Sequence, residues 1–400
     1  MPRSIAHALC ALLLAAYTLP ALAIPAAERQ ALIDLYNSAN GDQWTRNTGW
    51  KTASRFSFSP VGTECGWYGI VCNASQTHVT QITLYVNNLT GSLPATLNHL
   101  SGLQDVEIDN NRLTGNIPSL AGLTALKKFK ADNNRFSGGI PPLAGLTALE
   151  EFGVSSNWLD GSIGSLAGLT ALKYLRITNN RLTGNIPDLS GLTSLTYFLG
   201  GDNRLTGTLP SLAGLKALTV FSAGGNQLSG GIPDLSELLA LKVFAVSGNQ
   251  LTGSIPALAG VTRLKSFSAD RNKLTGHIPD LAGLTTLKEF NADCNHLTGS
   301  IPALAGLTAL ETLNVGCNQL TGPIPDLSGL TALTSIYVNG NQLTGAPPAA
   351  PPKLRMAWLC PNHLSAPSST DAAWNQAAAG GKDWHQGCTP APAPPPDTRH

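Results

Sequence analysis

Leu310-Glu311-Thr312-Leu313-Asn314-Val315-Gly316-Cys317-Asn318-Gln319-Leu320-Thr321-Gly322-Pro323-Ile324-Pro325 is one copy of a pattern that the 400-residue chain carries a dozen times. Its fixed part reads Asn-x-Leu-Thr-Gly-x-Ile-Pro, preceded by Leu-x-x-Leu-x-Val-x-x. The Asn stands at Asn87, Asn111, Asn134, Asn157, Asn180, Asn203, Asn226, Asn249, Asn272, Asn295, Asn318 and Asn341. The first interval is 24 residues and every later one is 23. A period in this range marks a solenoid, in which each copy is one coil that cannot bury its apolar face alone. Stacked coils share a core, so Leu310, Leu313, Val315 and Leu320 are expected to point inward.

The segment around Leu313 and Val315 reads as a short strand. Stacking sets these strands side by side in one parallel sheet, about 4.8 Å apart. Asn318 falls where the strand turns. A buried turn leaves backbone groups without partners, and an amide side chain can both donate to and accept from them. Twelve such residues in register predict an asparagine ladder with a structural role. Thr or Ser recurs three residues after the Asn, with Asp160 as the exception, and the Gly that follows suits a turn with unusual backbone angles. Ala-Gly-Leu-Thr-Ala-Leu then closes the coil on the convex side. The pattern Leu-x-x-Leu-x-Leu-x-x-Asn-x-Leu is that of leucine-rich repeats. The expected fold is therefore a leucine-rich repeat solenoid, a horseshoe of about twelve repeats, mostly β with short helical or irregular convex segments and a cap at each end.

Asn-x-Leu-Thr-Gly-x-Ile-Pro resembles the plant-type repeats of polygalacturonase-inhibiting proteins and receptor-kinase ectodomains. That family's repeat has 24 residues, with two between the Pro and the next Leu. The chain keeps this form at Leu93-Pro94-Ala95-Thr96-Leu97; elsewhere one residue is missing, as in Ile117-Pro118-Ser119-Leu120. The deletion lies on the convex segment and spares the sheet. What the resemblance implies is an extracellular binding protein that uses its concave face. It specifies fold better than function, because one horseshoe serves many partners.

The flanks differ in composition. Residues 1–23 carry Arg3, an apolar run from Ile5 to Tyr17 and Ala21-Leu22-Ala23, which reads as a secretory signal. Residues 24–78 hold a helical pattern over Ala26–Asn37 and the tryptophans Trp44, Trp50 and Trp67, an N-terminal lid for the open first coil. Cys65-Gly-Trp67-Tyr-Gly69-Ile-Val-Cys72 resembles the cap of the plant-type family, which implies a Cys65–Cys72 disulfide; further cap cysteines of many members are missing here. The repeats occupy residues 79–345. Residues 346–388 read as a C-terminal cap closed by Cys360–Cys388, and 389–400 as a Pro-rich disordered tail. Cys294 and Cys317 lie 23 residues apart, hence at one position on adjacent strands. Their Cα spacing of about 4.8 Å falls inside the disulfide range, so a third bond is expected.

Removing residues 1–23 leaves 24 basic against 24 acidic residues. A balance near zero argues against nucleic acid or an anionic membrane as main partner, and no later apolar run has a membrane-spanning length. The histidines are scattered, no metal-ligand spacing is present, and phosphate-loop, dinucleotide and Gly-x-Ser-x-Gly motifs are missing. We therefore expect no enzyme, no cofactor and no metal. A secreted monomer is expected, with an extracellular protein or polysaccharide as partner; in a bacterium the periplasm or cell surface would serve equally.

Side chains free to vary on the concave sheet lie six, four, two and one residues before each ladder Asn. The largest of them gather on repeats two to six: Asp105, Glu107, Asp109, Lys128, Lys130, Glu151, Tyr174, Arg176 and Tyr197. Tyr and Arg are enriched at binding hot spots. The plainer reading is that Lys and Asp of neighbouring coils pair. Asp105, Glu107 and Asp109 share one strand face, as paired catalytic acids can, but on an open sheet. Two other roles fit the repeats: a structural or adhesive surface protein, and ice binding through a file of Leu-Thr-Gly hydroxyls.

Overall fold

In the computed structural model the strand predicted around Leu313 runs over Thr312–Asn314, and its counterparts recur on every coil. The structure describes residues 23–365, 371–378, 384–385 and 388. Apart from Ala23, the expected leader lies outside the described residues, as does the expected tail over 389–400. Among the described residues no helix is long and apolar enough to cross a membrane.

The main sheet has fourteen strands. Ile70–Cys72 pairs antiparallel with Val79–Thr83 and finishes the N-terminal edge. From Val79–Thr83 onward every pairing is parallel and without slip, as in Asp105↔Lys128, Lys128↔Glu151 and Glu151↔Tyr174. Most three-residue strands of this sheet bury the middle residue and leave its two neighbours half-buried on the concave side; in Glu151–Gly153 the glycine is buried too, and in Met356–Trp358 both neighbours are exposed. This is the two-residue alternation of a strand with one solvated face.

The buried middle residue is often Phe rather than Leu. Phe198, Phe221, Phe244, Phe267 and Phe290 form a continuous spine with ring centroids 4.9 to 5.7 Å apart, all stacked. Phe129 and Phe152 form a shorter run, and Leu175 separates the two. Leu310, Leu313, Val315 and Leu320 are buried, in line with the inward positions of the pattern.

Each ladder Asn ties two coils together. Asn226 donates to Gly200 O (3.0 Å) and Ala223 O (3.1 Å), and its Oδ1 accepts from Leu205 N (2.9 Å). The same set recurs at Asn134, Asn249 and Asn318. The ladder does not stop at Asn341. Asn362 donates to Val338 O (2.8 Å) and accepts from Leu343 N (2.9 Å), and Met356–Trp358 adds the last strand. Leu354-x-x-Ala357-x-Leu359-x-x-Asn362 keeps the repeat's inward positions, but the interval has shrunk to 21 residues.

At the N-terminal end the helix Ala26–Ser38 packs with Trp44, Trp50 and Trp67, whose ring centroids lie 5.1 and 4.9 Å apart in sequence order. Buried Glu28 links this lid to the first coil through His78 Nδ1 (2.6 Å) and Val79 N (2.8 Å). Asn87 reaches back to Arg46, accepting from its N at 2.7 Å and donating to its O at 2.9 Å. Cys65–Cys72 and Cys360–Cys388 are bonded.

The bond expected between Cys294 and Cys317 is not formed; both are free thiols. Both residues are left-handed, with φ 50° and 51°, at matching positions of in-register parallel coils. Their Cα–Cβ bonds therefore point the same way. The Cβ atoms stand as far apart as the strands, about 4.8 Å, whereas a disulfide brings Cβ atoms to roughly 3.5–4.5 Å. Spacing of Cα atoms alone was an insufficient criterion. Burial, then side-chain hydrogen bonds with Cys317 and Asp293, pushes the Cys294 thiol up to about 12, so it stays protonated at neutral pH.

Candidate functional site

The concave residues of coils two to six stand on one continuous parallel surface, numbering coils from Asn87. Asp105, Lys128, Glu151, Tyr174 and Tyr197 occupy one file across the strands; Glu107, Lys130 and Arg176 occupy the next. Register therefore sets acids and bases side by side. Lys130 Nζ lies 2.7 Å from Glu107 Oε1, and Lys128 Nζ lies 3.7 Å from Asp105 Oδ1. Arg176 bonds Glu151 and lies 3.6 Å from Asp132. The cross-coil pairing reading thus describes the charged members of this patch: each of its three cations has a carboxylate neighbour.

Two acids sit deeper. Asp109 accepts from Asp132 N (3.1 Å), and Asp132 accepts from Ser155 N (2.6 Å). Burial, followed by the charge of Asp132, raises the Asp109 pKa above the usual carboxylate range. Burial raises that of Asp132 as well, against the pull of Ser155 N and Arg176. Burial works against the charged Lys130 ammonium, yet the Glu107 hydrogen bond and the surrounding carboxylates outweigh it and hold its pKa high. Asp105, Glu107 and Asp109 are thus engaged by Lys128, Lys130 and the backbone of the next coil. Tyr174 and Tyr197 stack with centroids 5.3 Å apart and present an aromatic step beside Arg176.

The file one residue before each Asn is not free to vary. Asn110, Asn133, Ser156, Asn179 and Asp202 all have φ between 52° and 55°, and Gly225 and Gly248 continue the series. The turn into the ladder demands a left-handed residue, which Asn, Asp and Gly tolerate best. Asn, Asp or Gly at most of these positions was the available signal, although Ser156, Arg271, Cys294 and Cys317 adopt the same conformation. Val86 (φ 48°) is the β-branched exception. It is exposed beside Tyr85, and both line a shallow recess with Arg46 and Tyr68 at the N-terminal edge of the sheet. Sequence reasoning passed over this recess because its residues come from the lid and the first coil. At the other end Tyr337 and Trp358 face each other at 6.1 Å, next to exposed Met356.

The Leu-Thr-Gly hydroxyls partly serve the coils themselves. Thr114 Oγ1 donates to Gly91 O at 2.9 Å, and Thr298 to Gly276 O at 3.3 Å.

A leucine-rich repeat family model matches residues 171–192 and 309–330. Receptor-like protein 3 of Arabidopsis thaliana is 35% identical over 69 residues, covering 17% of this chain and 9% of that protein. The solved plant peptide hormone receptor RGFR1, in complex with RGF2, is 31% identical with a TM-score of 0.67; the match covers 70% of this chain and 47% of that one. The chain is a leucine-rich repeat solenoid, similar over the matched segments to plant-type members. A solved plant ice-binding protein is 25% identical with a TM-score of 0.56, covering 70% of this chain and 90% of that chain. The chain spans less than a tenth of the curated relative and about half of the receptor ectodomain.

Proposed function

We propose that the protein is a non-enzymatic, exported binding scaffold. It takes a protein or cell-wall polysaccharide ligand on the concave sheet of coils two to six, in the manner of an inhibitor of pectin-degrading enzymes or of a host-interaction protein. One observation carries the reading: the stacked Tyr174–Tyr197 pair beside Arg176 offers an aromatic and charged surface, whereas coils seven and eight present Val220, Ser222, Val243 and Ala245 at equivalent positions. Rigid aromatics lose little entropy on binding, which suits them as anchors. The likeness to receptor ectodomains supports a recognition role.

Changing Lys128, Lys130, Tyr174 and Arg176 together to alanine is expected to weaken ligand binding at least tenfold with the far-UV circular dichroism unchanged. The assay is a panel of pectin fragments, wall glycans and polygalacturonases. Undiminished binding by that folded variant removes the concave site.

The likeness to an ice-binding protein across most of that protein's length gives a second reading, with the exposed Thr183, Thr206, Thr252 and Thr275 as the contact file. Ser, Asp160 and coil-to-coil hydrogen bonds interrupt that file, so we expect purified protein to show neither thermal hysteresis nor inhibition of ice recrystallisation. Either activity would promote this reading over the first.

A further inference from the structure

We propose that Cys294 and Cys317 form a two-coordinate binding site for a soft monovalent cation, copper(I), at the edge of the concave face on coils ten and eleven. The site lies away from coils two to six and does not depend on the ligand proposed there. Four other described cysteines are paired as Cys65–Cys72 and Cys360–Cys388, whereas these two thiols stand side by side and free. Cys317 is exposed and Cys294 half-buried, so the pair is open to solvent.

The geometry that keeps them from bonding to each other suits a bridging ion. Their strands, Glu289–Asn291 and Thr312–Asn314, pair without slip. The two Cα–Cβ bonds therefore run parallel at the strand spacing of about 4.8 Å. A disulfide needs the Cβ atoms at roughly 3.5–4.5 Å. A metal–thiolate bond is about 2.3 Å long, so a linear sulfur–metal–sulfur unit spans about 4.6 Å. In a shared rotamer, two parallel cysteine arms hold their sulfurs close to that separation without disturbing the coils. The thiols already meet: after burial, the Cys317 thiol is the largest influence keeping the Cys294 thiol protonated.

The backbone gives an independent sign. Both residues are left-handed, with φ 50° and 51°. Cysteine adopts that conformation at a steric cost that glycine does not meet. Gly225, Gly248 and Gly340 fill the same position on coils seven, eight and twelve. A strained residue where a relaxed one would serve points to a function. Copying one coil into the next does not account for the pair. Phe290 and Leu313, Asp293 and Gly316, and His296 and Gln319 all differ between the two coils, while the cysteine stands in both.

Ligand number selects the ion. Among the described residues no three metal-ligating side chains converge, which leaves the pair short of the four ligands of a structural zinc site. Thiolates favour soft ions, copper(I) among them. Binding exchanges protons for metal: two S–H groups and Cu⁺ give an S–Cu–S unit of charge −1 and two released protons. Arg271, one coil earlier in the same file, is exposed and in no ion pair among the described residues. Its positive charge offsets that of the bound unit and of the Asp293 carboxylate beside Cys294. Beyond Cys317 the file continues with Gly340, which has no side chain to cover the sulfur.

The test is an anaerobic titration of the reduced full chain with copper(I) in competition with bicinchoninate. We expect one ion per chain, protection of two thiols from dithiodipyridine on loading, and two sulfur neighbours by X-ray absorption. Cys294→Ser and Cys317→Ser should each lower the affinity at least a hundredfold. Ser156 takes the same turn conformation on coil four, so serine suits the fold, and circular dichroism verifies it. Zinc should bind at least a hundredfold more weakly than copper(I). No retention of copper(I) against the competitor, undiminished affinity in either folded serine variant, zinc bound as tightly as copper(I), or a Cys294–Cys317 disulfide in the unreduced purified protein overturns the proposal.

Discussion

Asn226→Ala is expected to destabilise the array by about 2–5 kcal/mol, through the buried backbone groups it strands. The amide serves Gly200 O, Ala223 O and Leu205 N, which belong to two successive coils. These groups are buried in a turn, so neither sheet nor solvent replaces the lost partner. Asn226→Asp keeps the acceptor, loses both N–H donors and buries a charge, and should cost at least as much. Gln227→Ala, one residue on but exposed, should stay within about 0.5 kcal/mol. Because each coil touches only its neighbours, the damage should be local. Hydrogen exchange in coils six to eight should accelerate while the ends of the array keep their protection. Equilibrium denaturation supplies the free energy and exchange mass spectrometry the location. A loss below about 1 kcal/mol, or exchange rising evenly along the chain, would contradict a ladder that bonds each coil to the last.

Much of this was legible because the repeat states each inward position a dozen times. Leu310, Leu313, Val315 and Leu320 are buried, and the strand falls where the pattern places it. What was not legible depends on direction or on context between coils. Cys294 and Cys317 occupy the expected matching positions, but disulfide formation depends on where the Cβ bonds point, and both point the same way. The thirteenth ladder residue, Asn362, was hidden by a shortened interval although its apolar positions are kept. The concave candidates were found as residue types, yet their partners come from pairing across coils: Lys130 with Glu107, Arg176 with Glu151.

Phe244→Ala is expected to cost about 3–5 kcal/mol, the range for emptying a core aromatic site. Phe244 is fully buried, with the Phe221 ring at 5.6 Å and the Phe267 ring at 5.7 Å. Truncation removes two stacking contacts and opens a cavity that rigid neighbouring coils cannot close, because the hydrogen-bonded strands on either side fix their spacing. Phe244→Leu should be milder, at about 1.5 kcal/mol or less. Leu175 and Leu313 fill the same position in other coils of this chain, so the site accepts that shape without a change of backbone. A double-mutant cycle of Phe221→Leu and Phe244→Leu separates stacking from plain burial. A coupling of about 0.5–1.5 kcal/mol is expected if the rings interact as aromatics. Coupling near zero would mean that Phe fills volume here as Leu does, and that the spine records copying of one coil rather than an added bond between coils.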